Sequence, residues 1–515
     1  MSREKTTARA LAAGSSFLLA FAAAKLLLHL LTARGYGYFR DELYYIACTD
    51  HLDWGYVDQP PLSILLLWIS RHLFGDSLFA LRLLPALAGA ATVYLTGWTC
   101  RRMGGGRLAQ ALAMLSVIVA PAYLFIDHIF SMNAFDVLFW TAAAAVLVRV
   151  FDDGDRRLWI LLGAVLGAGL LNKISVLWLG FGLLIGLRAS RAQRGWYMTP
   201  WPWISGALSL AIFSPHVAWQ VAHGWPTLRF MENAARLKMA STTPWRFLAD
   251  AVLLMHPLTL PVWTAGLALL LFGTTTRKFR PLGTIFLVVV ALLLAFRSKP
   301  YYLAPACTVL LAAGGVAIER FLARRRWTRA AVPALVALAA GGIILAPMGL
   351  PLLPVGTFVR YASFLGIQPG SGERHEIGTM PQHFADMFGW EEMVAAVARA
   401  YDTLSPDEKP RAGIFAQNYG EAGAIDFFGK GLGLPEASSG HNAYWHWGPP
   451  ERSVDTWIIL GGDEADNREV CGDLLEVART DCDLCMPYED DLPVYVCRRL
   501  RTPVADLWPT VKKYI

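Results

Sequence analysis

Long apolar runs dominate the first two thirds of the chain and constrain its fold more than any other feature. They lie near 11–33, 78–100, 108–126, 134–151, 201–222, 247–272, 282–296, 301–320 and 330–350. A helix needs about 20 apolar residues to cross the ~30 Å hydrocarbon core of a bilayer. A further run, 157–188, is interrupted by Asn172-Lys173 and is expected to form two short helices. The sequence therefore predicts a polytopic, mainly α-helical membrane bundle of about eleven spans.

The first run, 11–33, is interpreted as a span rather than a signal peptide. It is long, and no small-residue cleavage site precedes Tyr36. Basic residues then predict the orientation, because short cytoplasmic loops carry an excess of Lys and Arg. They cluster at 3–9, 101–107, 156–157, 188–194, 277–280 and 320–329. We therefore expect a multi-pass protein of the inner (plasma) membrane, with a cytoplasmic N-terminus and a periplasmic or extracytoplasmic C-terminal domain.

The character of the sequence changes near residue 350. Charged residues make up only 17% of the whole chain, against about 25% in soluble domains, but the segment after Gly370 has an ordinary soluble composition. This change predicts a transmembrane catalytic domain over 1–350 and a soluble α/β domain over 351–515. The net charge of +6 reflects the basic loops. Because no soluble segment interleaves basic and aromatic residues, we expect no nucleic-acid partner.

Four cysteines lie close together in the predicted outer domain: Cys471, Cys482, Cys485 and Cys497. In an oxidising compartment such a group favours disulfides. Four cysteines can pair in more than one way, and the sequence alone does not choose among the pairings. The spacing Cys482-x-x-Cys485 also fits a redox or zinc pair, although no second such pair and no pair of histidines follows it.

The first predicted outer loop, 34–77, is rich in aromatic residues and acids. Its segments 42–51 and 61–74 are expected to form helices that lie along the membrane interface, with tyrosine and tryptophan rings at headgroup depth. A loop of this composition places many polar groups close to the outer surface of the membrane, where a lipid headgroup is within reach.

The triplet Arg40-Asp41-Glu42 in this loop has two interpretations. Acids are common in the first turn of a solvated helix, with Asp41 as its cap. Alternatively, a carboxylate held near the membrane surface suits general-base catalysis. Asp58 and Gln59 follow in the same loop, and the two prolines after them fix the local backbone. These neighbours favour the catalytic interpretation.

Other polar residues lie at the outer ends of the predicted spans: His128, Asn133, Arg236, Lys238, Lys299, Tyr301 and Tyr302. A polar turn is the structural alternative for His128 and Asn133, and an interfacial anchor is the alternative for 297–302. Lys173, inside an apolar hairpin, has the alternative of a snorkelling lysine. Cations on the outer side oppose the orientation rule, so an anionic group outside would explain them. Two cations and two phenols at 297–302 also suit a phosphate.

Several sequence blocks together resemble one known group of membrane enzymes. The most specific block is GYFRDELYYIACTDHLDWGYVDQPPLS, and the supporting blocks are HIFSMNAFDVLFW, GLLNKIS, WQVAHGWP, KPYYLAPA, FAQNYGEAGAIDFFG, SGHNAYWHWGP and MPYEDDLPVYVCR. The chain resembles GT-C membrane glycosyltransferases of the bacterial family 39-like group. This group is related to protein O-mannosyltransferases and to the transferase that adds aminoarabinose to lipid A. The resemblance covers nearly the whole chain.

The resemblance implies an inverting transfer of a sugar from a polyprenyl-phosphate donor to a lipid, glycan or protein acceptor at the outer membrane face. It implies a catalytic acid at Asp41, with Glu42 beside it. The predicted phosphate contacts are Lys299, Tyr301, Tyr302, Arg236 and Lys238. The predicted substrate contacts are Arg40, Tyr44, Asp58, Gln59, His128 and Asn133. In the aminoarabinose transferase an acid-lysine pair precedes a proline where this chain has Asp58-Gln59-Pro60, and an aspartate of that relative matches Asn133.

A positively charged side chain beside the departing phosphate would assist such a reaction, and Asp41 would take the proton of the acceptor hydroxyl. No Gly-rich nucleotide motif is present, so a nucleotide-sugar donor is not expected. We expect no cofactor and no metal site, although a divalent metal is compatible with the acids present. The alternative function is a transporter or flippase of a polyprenyl-linked lipid, for which Asp136 and Lys173 at membrane depth would suit a substrate path.

Overall fold

The computed structural model describes the backbone of residues 2–240 and 243–515 and the side chains of residues 15–240 and 243–515. The basic side chains predicted at positions 3–9 therefore lie outside the described residues. The chain forms two compact units. The first comprises Met1–Gly35, Phe74–Val217 and Ser241–Pro354, and the second comprises Tyr36–Leu73, Ala218–Ala240 and Val355–Ile515.

The fold is mainly helical, as predicted. The α-helices in chain order are α1 (Ser2–Thr32), α2 (Arg40–Asp50), α3 (Leu62–Phe74), α4 (Leu78–Arg102), α5 (Arg107–Val119), α6 (Pro121–Ile126), α7 (Met132–Asp153), α8 (Leu158–Asn172), α9 (Val176–Ala189), α10 (Arg194–Tyr197), α11 (Trp201–Ala222), α12 (Pro226–Asn233), α13 (Pro244–Leu254), α14 (Leu260–Phe272), α15 (Arg280–Ala295), α16 (Ala304–Arg324), α17 (Ala331–Leu345), α18 (Val355–Phe364), α19 (Gln382–Ala385), α20 (Trp390–Asp402), α21 (Tyr419–Phe428), α22 (Ala443–Trp447), α23 (Glu464–Val470) and α24 (Val504–Leu507). The strands are β1 (Ala412–Ala416), β2 (Ala437–Ser439), β3 (Thr456–Leu460), β4 (Cys471–Arg479) and β5 (Pro493–Leu500).

Within the described residues, six helical segments are long and apolar enough to cross a membrane. They are Ser15–Thr32, Leu78–Arg102, Met132–Asp153, Arg277–Ala295, Pro300–Arg324 and Thr328–Met348. Four shorter apolar helices, α3, α5, α8 and α9, fall below that length. The protein is therefore an integral membrane protein with several spans. The number of about eleven and the orientation of the termini stay predictions.

The predicted run 247–272 is not one straight helix. Helix α13 and the segment Pro257–Phe272 are bent by 94° at the break between them. The cause is local, because Pro257 has no N–H to donate and its ring disfavours the α conformation at the preceding residue. That residue, His256, has φ +70°, and its Nδ1 accepts a hydrogen bond from the Leu258 N–H at 3.1 Å. The pair is a broken span or a re-entrant segment.

The predicted interruption at Asn172-Lys173 is present, since α8 ends at Asn172 and α9 begins at Val176. Lys173 itself is extended, with φ −155° and ψ 133°.

Elsewhere in the first unit, small residues allow helix backbones to approach closely. A Cβ atom on Gly314 would lie 1.9 Å from the Val262 carbonyl oxygen, and one on Gly266 would lie 2.0 Å from that of Leu310. Helices α14 and α16 thus pack through glycines, as is common in membranes.

The second unit contains a five-stranded sheet with the strand order β2-β1-β3-β5-β4. Strands β2, β1 and β3 are parallel, whereas β5 is antiparallel to both β3 and β4. A disulfide joins Cys471 to Cys497, and both belong to a buried cluster with Trp457, Ile459 and Tyr495. Cys482 and Cys485 are free thiols. The sheet with its helices matches the predicted α/β character of the C-terminal region.

The two units do not follow the predicted linear division at residue 350. The break at Pro354 lies close to that boundary, but 36–73 and 218–240 belong to the same unit as 355–515. The predicted first outer loop thus packs with the C-terminal region. This arrangement determines which residues surround Asp41.

Candidate functional site

Helix α2 carries the charged triplet, and its N-terminus explains one of the acids. The Phe39 N–H donates a hydrogen bond to Glu42 Oε2 at 2.9 Å, which satisfies a donor at the start of the helix. Glu42 is 0% exposed. The predicted catalytic role of Glu42 is therefore not supported, because its carboxylate is buried and caps the helix.

Asp41, in the first turn of α2, has a different environment. Its side chain is 36% exposed, and the Tyr419 hydroxyl donates a hydrogen bond to its Oδ1 at 3.0 Å. Tyr419 is the first residue of α21. This helix packs closely against α2, since Gly423 has no Cβ atom, and one added there would lie 2.9 Å from the Leu43 carbonyl carbon. Asp41 is thus accessible and is held in a fixed position by a phenol from the C-terminal segment.

Arg40 points into the protein, where other side chains contact its guanidinium. Its guanidinium lies 3.6 Å from Asp386 Oδ2 and 3.8 Å from Asp41 Oδ1, and it donates a hydrogen bond to the Tyr488 hydroxyl. Its backbone N–H also donates to the Asp386 carbonyl at 2.9 Å. These partners hold the guanidinium inside the protein, and the substrate contact of Arg40 stays a prediction. Arg40 anchors the turn that presents Asp41.

Asp58 is the second carboxylate of this unit. The Tyr44 hydroxyl donates a hydrogen bond to its Oδ1 at 2.9 Å and accepts one from the Ala443 N–H at 3.3 Å. Burial and, less strongly, the charge of Asp41 raise the pKa of Asp58 to about 7, although the hydrogen bond from Tyr44 and the charge of Lys238 partly oppose this. Tyr44 is fully buried. It therefore orients Asp58, and its predicted substrate contact stays a prediction.

Gln59, the residue after Asp58, has an unusual environment. Gln59 is only 1% exposed, yet neither the nitrogen nor the oxygen of its side-chain amide has a hydrogen-bond partner among the described residues. A buried polar group left unpaired costs about 1–3 kcal/mol. A ligand group that reached this amide would remove that cost. Gln59 thus remains a candidate substrate contact.

Lys238 ends a five-residue π-helix, Ala234–Lys238, which also contains Arg236. Such helices are rare and are frequent at functional sites. Lys238 Nζ lies 3.7 Å from Glu373 Oε1, and its charge is close enough to lower the pKa of Asp58. Arg236 is exposed, and its carbonyl accepts a hydrogen bond from Arg374 Nη1 at 3.1 Å. Of these two predicted cations, Lys238 is the one placed near the carboxylates.

Two buried glutamates support this region. Asn418 Nδ2 donates to Glu421 Oε1 at 2.6 Å and to Glu489 Oε1 at 3.1 Å. Burial raises the pKa of Glu421 to about 7, and burial together with the neighbouring Glu421 raises that of Glu489. The pair therefore holds a proton near neutral pH. It ties the start of α21, with Tyr419, to the segment that carries Tyr488.

The blocks FAQNYGEAGAIDFFG and MPYEDDLPVYVCR contributed to the family resemblance, but the sequence analysis assigned no role to their residues. The structure shows that these blocks supply Tyr419 and Tyr488, while Asp386 comes from a segment with no such signal.

The first unit has a polar cluster of its own. Lys173 Nζ donates to Asn133 Oδ1 at 2.6 Å, lies 3.7 Å from Asp136 Oδ2 and is 4.6 Å from the centre of the Tyr302 ring. The Ser175 hydroxyl donates to Asp136 Oδ1 at 2.7 Å. Lys173 is therefore paired and is not a snorkelling lysine. The structure joins Asn133 and Tyr302 through a lysine that was not among the predicted site residues.

The remaining predicted residues also lie in the first unit. Lys299 is extended and precedes the short helix Pro300–Leu303, and the rings of Tyr301 and Tyr302 meet at 4.6 Å. His128 is 1% exposed, and its Nε2 lies 3.1 Å from Arg82 Nη1. The ring is therefore enclosed, and the substrate contact of His128 stays a prediction.

Chemically, the second unit brings together a carboxylate bonded by Tyr419 (Asp41), a carboxylate bonded by Tyr44 (Asp58) and the cation of Lys238. Asp41 is accessible, whereas Asp58 is more buried and has a pKa near 7. Two carboxyl groups in such different environments, one of them with a pKa near neutral, suit proton transfer at neutral pH. Within the described part of the chain, no group of three or more His, Cys, Asp and Glu side chains is arranged to hold a metal ion.

Comparison with known proteins bears on the fold. Residues 58–219 match the family described as dolichyl-phosphate-mannose-protein mannosyltransferase. The crystal structure of ArnT from Cupriavidus metallidurans in the apo state is 15% identical, with a TM-score of 0.64 over 94% of this chain and 98% of that one. The crystal structure of the same protein bound to undecaprenyl phosphate gives a TM-score of 0.61 at the same identity and coverage. No curated protein matches the chain. The predicted fold class is confirmed.

Proposed function

We propose that this chain, which has the GT-C fold, is an inverting glycosyltransferase that takes a sugar from a polyprenyl-phosphate donor. The acceptor hydroxyl belongs to a lipid, a glycan or a protein at the outer membrane face. One observation carries the proposal. An accessible carboxylate, Asp41, is held by the Tyr419 phenol at 3.0 Å in the same unit as Asp58, whose pKa is raised to about 7 by burial.

The comparisons support the donor class by analogy. The family matched by residues 58–219 is named for a dolichyl-phosphate-linked sugar, and one similar structure holds undecaprenyl phosphate. Both ligands are polyprenyl phosphates. In the sequence, the lack of a Gly-rich nucleotide motif agrees with a lipid-linked donor rather than a nucleotide sugar.

In the proposed reaction the acceptor oxygen attacks the anomeric carbon while the bond from that carbon to the phosphate oxygen breaks. Direct displacement inverts the anomeric centre. Asp41 accepts the proton of the attacking hydroxyl, a role that typically contributes 10²–10⁴-fold to the rate. The leaving phosphate gains negative charge as the bond breaks. Lys238 would stabilise that charge, and the unpaired amide of Gln59 would donate a hydrogen bond to it.

Asp58 assists by its protonation state. Because burial and the charge of Asp41 both raise its pKa, a proton near neutral pH resides on Asp58 more readily than in water. A neutral Asp58 leaves the more exposed Asp41 as the carboxylate that meets the acceptor. Two like charges close together would oppose the approach of an anionic donor.

The direct test is sugar release. Purified protein in detergent is incubated with a radiolabelled polyprenyl-phosphate sugar and a lipid extract of the host membrane as acceptor. We expect a labelled product with the opposite anomeric configuration. Movement of the intact labelled lipid across vesicles without bond cleavage would instead indicate a transporter or flippase and would refute the enzymatic proposal.

A further inference from the structure

The second unit contains a cavity of about 280 Å³ that the proposed chemistry does not use. This volume is close to the lower end of the range of about 300–1,000 Å³ typical of ligand pockets. Its walls come from the first outer loop, the end of α11 and helix α22. The lining residues are His51, Leu52, Asp53, Gly55, Tyr56, Trp219, His223, Ala443, His446 and Trp447.

Aromatic rings dominate the cavity, and their orientations are fixed by pairs. His51 stacks on Trp447 with ring centres 4.2 Å apart, and His223 stacks on Trp219 at 4.1 Å. His446 meets the Trp219 ring edge to face at 5.9 Å. Each indole is thus braced by an imidazole and needs no reordering before a ligand binds. Such pre-organisation lowers the entropic cost of binding.

The polar groups of the cavity favour an uncharged ligand. Asp53 Oδ2 accepts a hydrogen bond from Trp219 Nε1 at 2.6 Å, which fixes a carboxylate at the wall. Burial lowers the pKa of His446 to about 4, so its imidazole is neutral. No Lys or Arg lines the cavity in the described structure. A phosphate or carboxylate ligand would therefore meet the negative charge of Asp53 with no Lys or Arg side chain in the lining, and Lys512, outside the lining, is close enough to His446 to lower its pKa.

A sugar ring matches these walls. It presents C–H bonds on one face, which pack on aromatic rings, and hydroxyl groups at its edge, which donate to a carboxylate or a neutral imidazole. The cavity also adjoins the candidate site along the chain. Tyr56 is two residues before Asp58, and the Ala443 N–H donates to the Tyr44 hydroxyl that holds Asp58.

We propose that this cavity is a subsite for a sugar residue of the acceptor, so that the acceptor is a glycan or glycolipid. The identification as acceptor rests on the proposed transferase function. The assignment to the acceptor rests on charge, because the donor carries a phosphate and the lining has a carboxylate but no Lys or Arg. The binding of a sugar ring does not depend on catalysis and is testable without it.

The experiment measures binding of methyl glycosides of glucose, galactose, mannose and N-acetylglucosamine to the full-length protein. Saturation-transfer NMR is recorded in a detergent without a sugar headgroup, which would otherwise compete. We expect transfer to the ring protons of at least one glycoside. Trp447→Ala should weaken that binding roughly tenfold, as expected for loss of an aromatic contact together with its buried area, and Trp447→Phe should retain part of it.

Trp54→Ala is the matched control. Trp54 follows the lining residue Asp53 in the chain, but it is 60% exposed and outside the lining. Asp53→Asn is a second test, because its amide oxygen still accepts from Trp219 while the charge is lost. It should also weaken binding. If Trp447→Ala does not fold, Asp53→Asn and Trp447→Phe decide the question.

The subsite is refuted if no glycoside shows saturation transfer with the wild-type protein. It is equally refuted if the Trp54 variant weakens binding as much as the Trp447 variants do. Failure of the proposed function gives a different result, namely glycoside binding without any transfer from a polyprenyl-phosphate donor. Asp41→Asn should abolish transfer and leave glycoside binding unchanged, which separates the two sites.

Discussion

Replacing Asp41 by asparagine tests the centre of the proposed mechanism. In the wild-type protein the Tyr419 hydroxyl donates a hydrogen bond to Asp41 Oδ1 at 3.0 Å. The change removes one negative charge, but the amide oxygen of asparagine can still accept this hydrogen bond. The guanidinium of Arg40 is 3.8 Å away and has other partners. Because the side chain is 36% exposed, the lost ion pair should cost less than about 1 kcal/mol of stability.

The effect on the rate should be much larger. A general base typically contributes 10²–10⁴-fold, which corresponds to about 2.7–5.5 kcal/mol in the activation free energy. Transfer is measured under single-turnover conditions with a radiolabelled polyprenyl-phosphate sugar, so that product release does not hide the chemical step. The melting temperature should fall by less than about 4 °C.

The matched control is Asp50→Asn at the other end of the same helix. Asp50 is 45% exposed and lies 3.1 Å from Arg71, so it loses a comparable surface ion pair. Its transfer rate should stay within about twofold of wild type, as expected for a surface pair away from the site. An Asp41→Asn protein that melts normally and keeps more than about a tenth of the activity would refute Asp41 as the base. Asp58→Asn would then be the next variant to measure.

Three further outcomes are expected. Lys238→Ala should lower kcat more than it raises KM for the lipid donor, because the proposed contact to the leaving phosphate strengthens as charge develops; the opposite pattern would make it a binding anchor. Burial raises the pKa of Asp386 to about 6 and of Glu421 to about 7, so the folded state holds protons that the unfolded state releases. The free energy of unfolding should therefore fall as pH rises from about 4 to about 7, and Glu421→Gln should flatten that slope in melts at several pH values. Gly314→Leu should prevent the close approach of α14 and α16, with loss of monodisperse protein in size-exclusion chromatography, whereas Gly180→Leu, with no atom within 4 Å of its Cβ position, should be tolerated.

The sequence by itself predicted the membrane character, the C-terminal α/β region and the resemblance to GT-C enzymes. These features depend on local patterns, namely the length of apolar runs and the order of residues within short blocks. The interruption at Asn172-Lys173 was predicted for the same reason, since a polar pair inside an apolar run is visible without any tertiary contact. The side of the membrane on which each loop lies stays a prediction from the basic residues.

The tertiary structure alone decided what each charged residue does. In sequence, Arg40, Asp41 and Glu42 are equivalent neighbours, but helix geometry directs them to a buried anchor, an accessible carboxylate and a cap. The partner of Asp41 is Tyr419, 378 residues away. No local pattern encodes such a contact, because it depends on how distant segments pack. Burial, which raises the pKa of Asp58 to about 7, is likewise a property of the folded chain and not of the loop sequence.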